Sequence, residues 1–186
     1  KSAAASFKDV RRSGIIAIRL EEKDELVTTL LTKEGDSVIL TTQNGQSIRF
    51  ADTDVREMGR TAGGVSAMKL DKGDVIMSAQ VVEKNDKKAK LLILTANGYG
   101  KMTDMKEYKI QKRAGSGIKT VKVTDKTGKL VVARIVSDEE GEILAISKAS
   151  QVIKTDLKDI PTLGRDTQGV RVMKLREGDS IAGLSL

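Results

Sequence analysis

The sequence predicts an all-β protein built as a repeat array, and three observations carry that reading. Gly14, Gly64, Gly117 and Gly169 stand 50, 53 and 52 residues apart, each followed by a β-branched residue. Short runs rich in Val, Ile, Leu and Thr alternate with turn signals, as half-buried strands require. No segment keeps a helical stripe from one period to the next. Residues 102–111 could pass for a short helix, but their equivalents at 50–58 and 155–163 do not share the pattern. A period of this length suits a four-stranded, propeller-type blade.

Within the second period, strands are expected over 64–70, 75–82, 89–95 and 99–103. The breaks between them are Lys72-Gly73-Asp74, the charged stretch 83–88, and Asn97-Gly98. Asn-Gly is the strongest of these signals, because a type I′ hairpin turn needs positive φ at both central residues. The first period repeats it as Asn44-Gly45, and the third carries Lys148-Ala149-Ser150 instead. The array then divides into blade-length repeats at 13–63, 64–116 and 117–168. Residues 1–12 read as the end of a preceding blade, and 169–186 as the start of a final repeat that closes the array. The chain opens on Lys1 rather than Met, which suggests a piece of a longer protein.

Further positions share the register. Five residues after each glycine comes a cation between apolar neighbours: Arg19, Lys69, Lys122, Lys174. Four residues before the last three glycines stand Arg60, Arg113 and Arg165; ten before them stand Asp54, Glu107 and Asp159.

Composition excludes most chemistry. The 186 residues contain no Cys, His or Trp, so disulfides, thiolate nucleophiles, Cys/His zinc sites and histidine bases are absent. Lys and Arg number 33 against 26 Asp and Glu, a net charge of +7, with a pI near 9.5. That surplus favours a polyanionic partner. Four aromatics, Phe7, Phe50, Tyr99 and Tyr108, cannot supply a stacking platform in every repeat. Duplex backbone binding therefore fits better than single-strand or RNA recognition. No apolar run reaches membrane-span length, and no signal-peptide architecture opens the chain. Asp138-Glu139-Glu140 beside Gly141 reads as a solvated hairpin turn.

The repeated Arg-x-x-x-Gly element has two readings, and both stay open on sequence alone. The guanidinium could meet phosphate oxygens, for which its planar fork is suited, with glycine letting backbone N–H groups approach. It could equally latch to the acid of its own repeat, Asp54 with Arg60 for example. Arg19, Lys69, Lys122 and Lys174 point away from their apolar neighbours and should be exposed. If all seven met phosphates, log K against log salt would fall with a slope of about −6. A non-nucleic-acid alternative is a protein-interaction propeller whose charge serves solubility.

Three segments carry a family resemblance: Gly59-Arg60-Thr61-Ala62-Gly63-Gly64-Val65, Asn97-Gly98-Tyr99-Gly100-Lys101 and Gly164-Arg165-Asp166-Thr167-Gln168-Gly169-Val170-Arg171. Together they resemble the C-terminal domain of the DNA gyrase A protein, with that of topoisomerase IV as the nearest relative. The resemblance implies a six-bladed β-pinwheel in which neighbouring blades exchange a strand, here about three and a half repeats, with a basic rim that wraps duplex DNA. It adds Lys112 and Arg171 to the candidate DNA contacts. The family's hallmark box, Gln-Arg-Arg-Gly-Gly-Lys-Gly, has a degenerate match at Gln111-Lys112-Arg113-Ala114-Gly115-Ser116-Gly117, in the context of a later blade. The full box would then precede Lys1. By the same resemblance the module is non-catalytic, with no cofactor of its own. The holoenzyme that introduces negative supercoils uses ATP and magnesium, and contains the gyrase B protein with the rest of the gyrase A protein. The resemblance also implies a cytoplasmic, nucleoid-associated place and a monomeric isolated domain. Tyr99 and Tyr108 read as packing residues, not as the transesterifying tyrosine, which lies in another domain of that enzyme.

Overall fold

The computed structural model describes residues 1–137 and 141–186, so the acidic run 138–140 lies outside the described residues. The architecture is nearly all strand, in three antiparallel sheets. Strands β1 (Ser37–Thr42) and β2 (Gln46–Ala51) form a hairpin over Asn44-Gly45, with Leu40 opposite Ile48. Strand β3 (Ile76–Val82), from the next period, covers the other edge of β1. The second hairpin joins β4 (Lys90–Thr95) and β5 (Tyr99–Asp104). A two-residue strand, β6 (Ile118–Lys119), crosses back to the free edge of β2, while β7 (Leu130–Val136) pairs with β4. The third hairpin is β8 (Glu142–Ser147) with β9 (Val152–Asp156). Finally, β10 (Val170–Arg171) pairs with β5 and β11 (Ile181–Ser185) with β8.

Each of the first two sheets therefore draws strands from three consecutive periods, in the orders β3-β1-β2-β6 and β7-β4-β5-β10. The inner strands β3, β7 and β11 face a common cleft of about 420 Å³, which leaves β6 and β10 outermost.

Expectation and structure part at one strand. Residues 64–70 do not form a ladder; Met68 makes only an isolated bridge with Gly115. The run still alternates, but its receiving edge would have to belong to a hairpin one period earlier than β1. The 102–111 segment is no α-helix either: β5 ends in a single 3-10 turn at Met105–Glu107, repeated at Asp52–Asp54 and Leu157–Asp159.

Burial explains the patterns of the strands. In the central sheet β4 is covered on both faces, so its sequence is a continuous apolar run. Leu91 and Ile93 pack with Ile39, Leu130 and Tyr108 toward the first sheet. Leu92 packs with Ile143 and Leu157, and Leu94 with Ala145 and Met173, toward the third. Strand β8 has one exposed face and alternates strictly. Each fully buried Leu or Ile contributes roughly 1.5–3 kcal/mol, enough to hold adjacent sheets together without aromatic bulk.

Candidate nucleic-acid interface

The outer rim begins with the repeated glycine. Gly117 and Gly169 hold φ of +74° and +78°, and a Cβ on either would sit 2.3 Å from the Ser47 carbonyl or 2.4 Å from that of Gly100. Only glycine lets β6 and β10 start this close to the hairpins beneath them. Past each short strand the chain stays in contact. Thr120 and Val121 donate backbone N–H groups to the Gly45 carbonyl, as Val172 and Met173 do to that of Gly98.

The repeated arginines are inter-repeat latches. Arg60 Nη1 donates to the Ile16 carbonyl at 2.6 Å, Arg113 Nη1 to Ser66 at 2.7 Å, and Arg165 Nη1 to Lys119 at 2.9 Å. In every case the acceptor lies two residues past the glycine of the preceding repeat. Arg113 Nε adds a bond to the Asp54 carbonyl at 3.0 Å. The alternative pairing of Arg60 with Asp54 does not occur, because strand exchange places Asp54 and Glu107 beside the following repeat. Glu107 Oε2 accepts the backbone N–H of Arg165 at 3.0 Å, and Asp54 Oδ1 lies 3.2 Å from Lys112 Nζ. Lys112 is 92% exposed, so that ion pair adds little.

The degenerate box around Arg113 lies against Arg49 of the first hairpin and the 67–69 segment. Gln111 N donates to the Arg49 carbonyl, Ala114 N to that of Ala67, and the Gly115 carbonyl accepts from Lys69 N. Lys112 and Ser116 remain exposed. Replacing Arg113 by Ala strips the Ser66 and Asp54 carbonyls of a donor. The expected cost is about 1–3 kcal/mol in urea unfolding, with the salt slope of DNA binding changed by less than about 1.

Arg19, Lys69, Lys122, Lys174 and Arg171 are all exposed, and none pairs with a described carboxylate. Two of them meet. Arg171 and Lys174 line a cleft of about 340 Å³ with Asn97, Tyr99, Lys126, Arg176 and Asp179. Lys126 Nζ and Arg171 Cζ each lie 5.5 Å from the Tyr99 ring centroid. Arg171 Nη2 donates to the Tyr99 hydroxyl at 3.1 Å. Tyr99 is therefore a support for two cations as well as a packing residue. Lys126 and Arg176 escaped the sequence reading, although Asp125-Lys126 repeats the Asp71-Lys72 turn one period on.

Lys101 was also missed as a structural residue. It is fully buried at a position occupied by Ile48 and Ile153 in the neighbouring repeats. Its ammonium donates to the Gly164 and Arg165 carbonyls, fixing the loop that leads to Arg165. Burial drives its pKa down from 10.5 to about 8, against the attraction of Glu107 and Asp166 and in concert with repulsion from Arg165. The unfolded chain then binds this proton more tightly, so the penalty is fully present below pH 8. It is relieved as pH rises through the window from 8 to 10.5. The expected gain totals on the order of 3 kcal/mol at the upper end. Urea midpoints at pH 7.5 and 9.5 should show wild type gaining on Lys101→Met; a difference independent of pH would refute this assignment.

The family model for the DNA gyrase C-terminal domain, a beta-propeller, matches residues 1–33, 36–83, 89–137 and 141–186. The last three segments each open on a hairpin, at β1, β4 and β8. The DNA gyrase A protein of Mycolicibacterium smegmatis is 41% identical over 187 residues, covering 100% of this chain and 22% of that protein. Its counterpart in Staphylococcus epidermidis is 35% identical over 182 residues, covering 98% and 20%. The chain thus spans about a fifth of the length of these curated relatives. Among solved structures, a DNA gyrase A C-terminal domain superposes with a TM-score of 0.82 at 32% identity, over 94% of this chain and 58% of that one. The C-terminal domain of a DNA topoisomerase IV superposes at 0.88 with 23% identity, over 97% and 55%, a likeness of fold.

Proposed function

The chain belongs to the DNA gyrase C-terminal domain family, and from that premise we propose that it binds and wraps duplex DNA by its phosphate backbone. In this reading it is a non-catalytic module of a type II topoisomerase. By wrapping, it presents a segment of the same DNA for ATP-driven strand passage, which yields negative supercoils. One observation carries the proposal: Lys119 and Lys122, and Arg171 and Lys174, all exposed and without a described acidic partner, lie on or just beyond the outermost strands β6 and β10. The arginines of the same register are committed to holding repeats together. Successive sheets turn about a shared inner cleft, so cations repeated once per period recur along an arc. Duplex following that arc must bend, and phosphate contacts offset the bending cost.

The other partners in this reading are the remainder of the gyrase A protein and the gyrase B protein, with the isolated chain a monomer in the cytoplasm. No three His, Cys, Asp or Glu side chains gather as a metal site among the described residues. In this reading magnesium and ATP act in the other domains of the holoenzyme, not in this chain.

Fluorescence anisotropy with a duplex of about 40 base pairs at low salt tests binding, since backbone contacts are strongest there. Absence of binding under those conditions would overturn the proposal. Relaxed plasmid closed by ligase in the presence of the chain reports wrapping, as a shift in linking number.

A further inference from the structure

We propose that the cleft over Tyr99 is a phosphate clamp for the duplex backbone and the strongest single contact on the rim, an inference that rests on the DNA-binding reading above. Lys126, Arg171, Lys174 and Arg176 face one hollow, with Asp179 as its one lining carboxylate. Asp179 Oδ1 is already engaged, accepting from Ala149 N at 3.0 Å and Ser180 N at 2.8 Å. The four cations are exposed and come from three places: the 124–127 turn, the outermost strand β10, and the loop that follows it.

The tyrosine distinguishes this place from a row of surface lysines. Tyr99 is 7% exposed, so its ring is fixed by packing. Lys126 and Arg171 rest on it, and the hydroxyl holds one guanidinium nitrogen of Arg171. Cations held in this way have surrendered part of their rotamer freedom before a ligand arrives, so binding need not order them. Arg171 keeps further N–H groups for phosphate oxygens. Its contact with the ring, together with that of Lys126, leaves no stacking surface for a base, which selects a phosphodiester backbone over a nucleobase.

A second observation is independent of the ring. One sheet earlier Gln46 takes the place of Tyr99, and it pairs with Lys119 just as Tyr99 pairs with Arg171. Lys72 and Lys122 stand there at the positions of Lys126 and Lys174. Three cations are thus kept at both positions, and the aromatic support only at the second. The rim carries a weaker clamp one repeat ahead of a stronger one.

The test is a salt titration of duplex binding by the 186-residue chain. Replacing Lys126, Arg171 and Arg176 together by Gln should flatten the log K against log salt slope by about 2 to 3. As a control for lost charge, Lys106, Lys154 and Lys158 are replaced by Gln. They are exposed and already paired with Asp104, Glu142 and Asp156, and their loss should change the slope by less than about 1. Tyr99→Phe, which keeps the ring and the charges, should weaken binding about two- to threefold with the slope unchanged. The clamp is refuted if wild type binds duplex and the cluster variant keeps its slope, or if the control loses as much; the DNA-binding reading survives both results. A wild-type chain that binds no duplex overturns both.

Discussion

Replacing Arg19, Lys69, Lys122 and Lys174 together by Gln should cost a hundred- to a thousandfold in duplex affinity near 0.1 M salt and flatten the salt slope by about 3 to 4. All four are exposed without a described acidic partner, so their charge is available to a polyanion. Removing it breaks no internal contact, and the stability change should stay within about 0.5 kcal/mol. Anisotropy titrations at several salt concentrations, with thermal melts beside them, separate the two effects. Charge reversal at Arg60, Arg113 and Arg165 would be a poorer experiment. Those guanidiniums bond to main-chain carbonyls of the preceding repeat, so their loss loosens the array and confounds any change in binding. An unchanged slope in the four-cation variant would mean that these residues are ordinary solvated surface.

The glycine register carries the second large effect. Gly169→Ala places a Cβ 2.4 Å from the Gly100 carbonyl, a distance that no rotamer adjusts, so β5 or β10 must move. The left-handed backbone adds about 1–2 kcal/mol, and the displaced strand raises the total to about 4 kcal/mol. For a chain of this size that corresponds to roughly 10 °C in Tm. Gly14→Ala is the matched control. Gly14 has φ of +75° but nothing within 4 Å of the added Cβ, so it should show the conformational cost alone. Equal losses in the two variants would show that close approach at β10 contributes nothing.

Much of the fold was legible because its signals are local. Asn44-Gly45 and Asn97-Gly98 mark hairpins by backbone preference, and the Gly14-to-Gly169 spacing fixes the period. The short strands β6 and β10 were not legible. Two residues leave no periodic pattern, and their partners lie some 70 residues away in sequence. The same long reach decides between the two readings of the acids: a latch within one repeat, Asp54 with Arg60, is replaced by contacts of Asp54 and Glu107 with the next repeat. In the candidate interface, exposure of Lys69, Lys122 and Lys174 followed from alternation along the chain. The grouping of Lys126, Arg171 and Arg176 over Tyr99 did not, because it joins a hairpin, a turn and a strand from three periods. Lys101 was hidden in a different way. A lysine within a strand reads as surface, and only the loop at Gly164 and Arg165, whose carbonyls it meets, makes it an interior residue.

The staggered sheets bear on how such a chain unfolds and how it can change length. In most repeat proteins a unit touches only its neighbours, so stability is a sum over adjacent pairs and ends can fray singly. Here β6 and β10 tie the first two hairpins to the unit two places along, which adds a next-nearest term. Fraying of the last unit therefore exposes an edge in the one before its neighbour, and melting should proceed in larger cooperative blocks than one blade. A deletion or duplication preserves every pairing only when it removes or adds a whole period, whatever point in the period the break falls on.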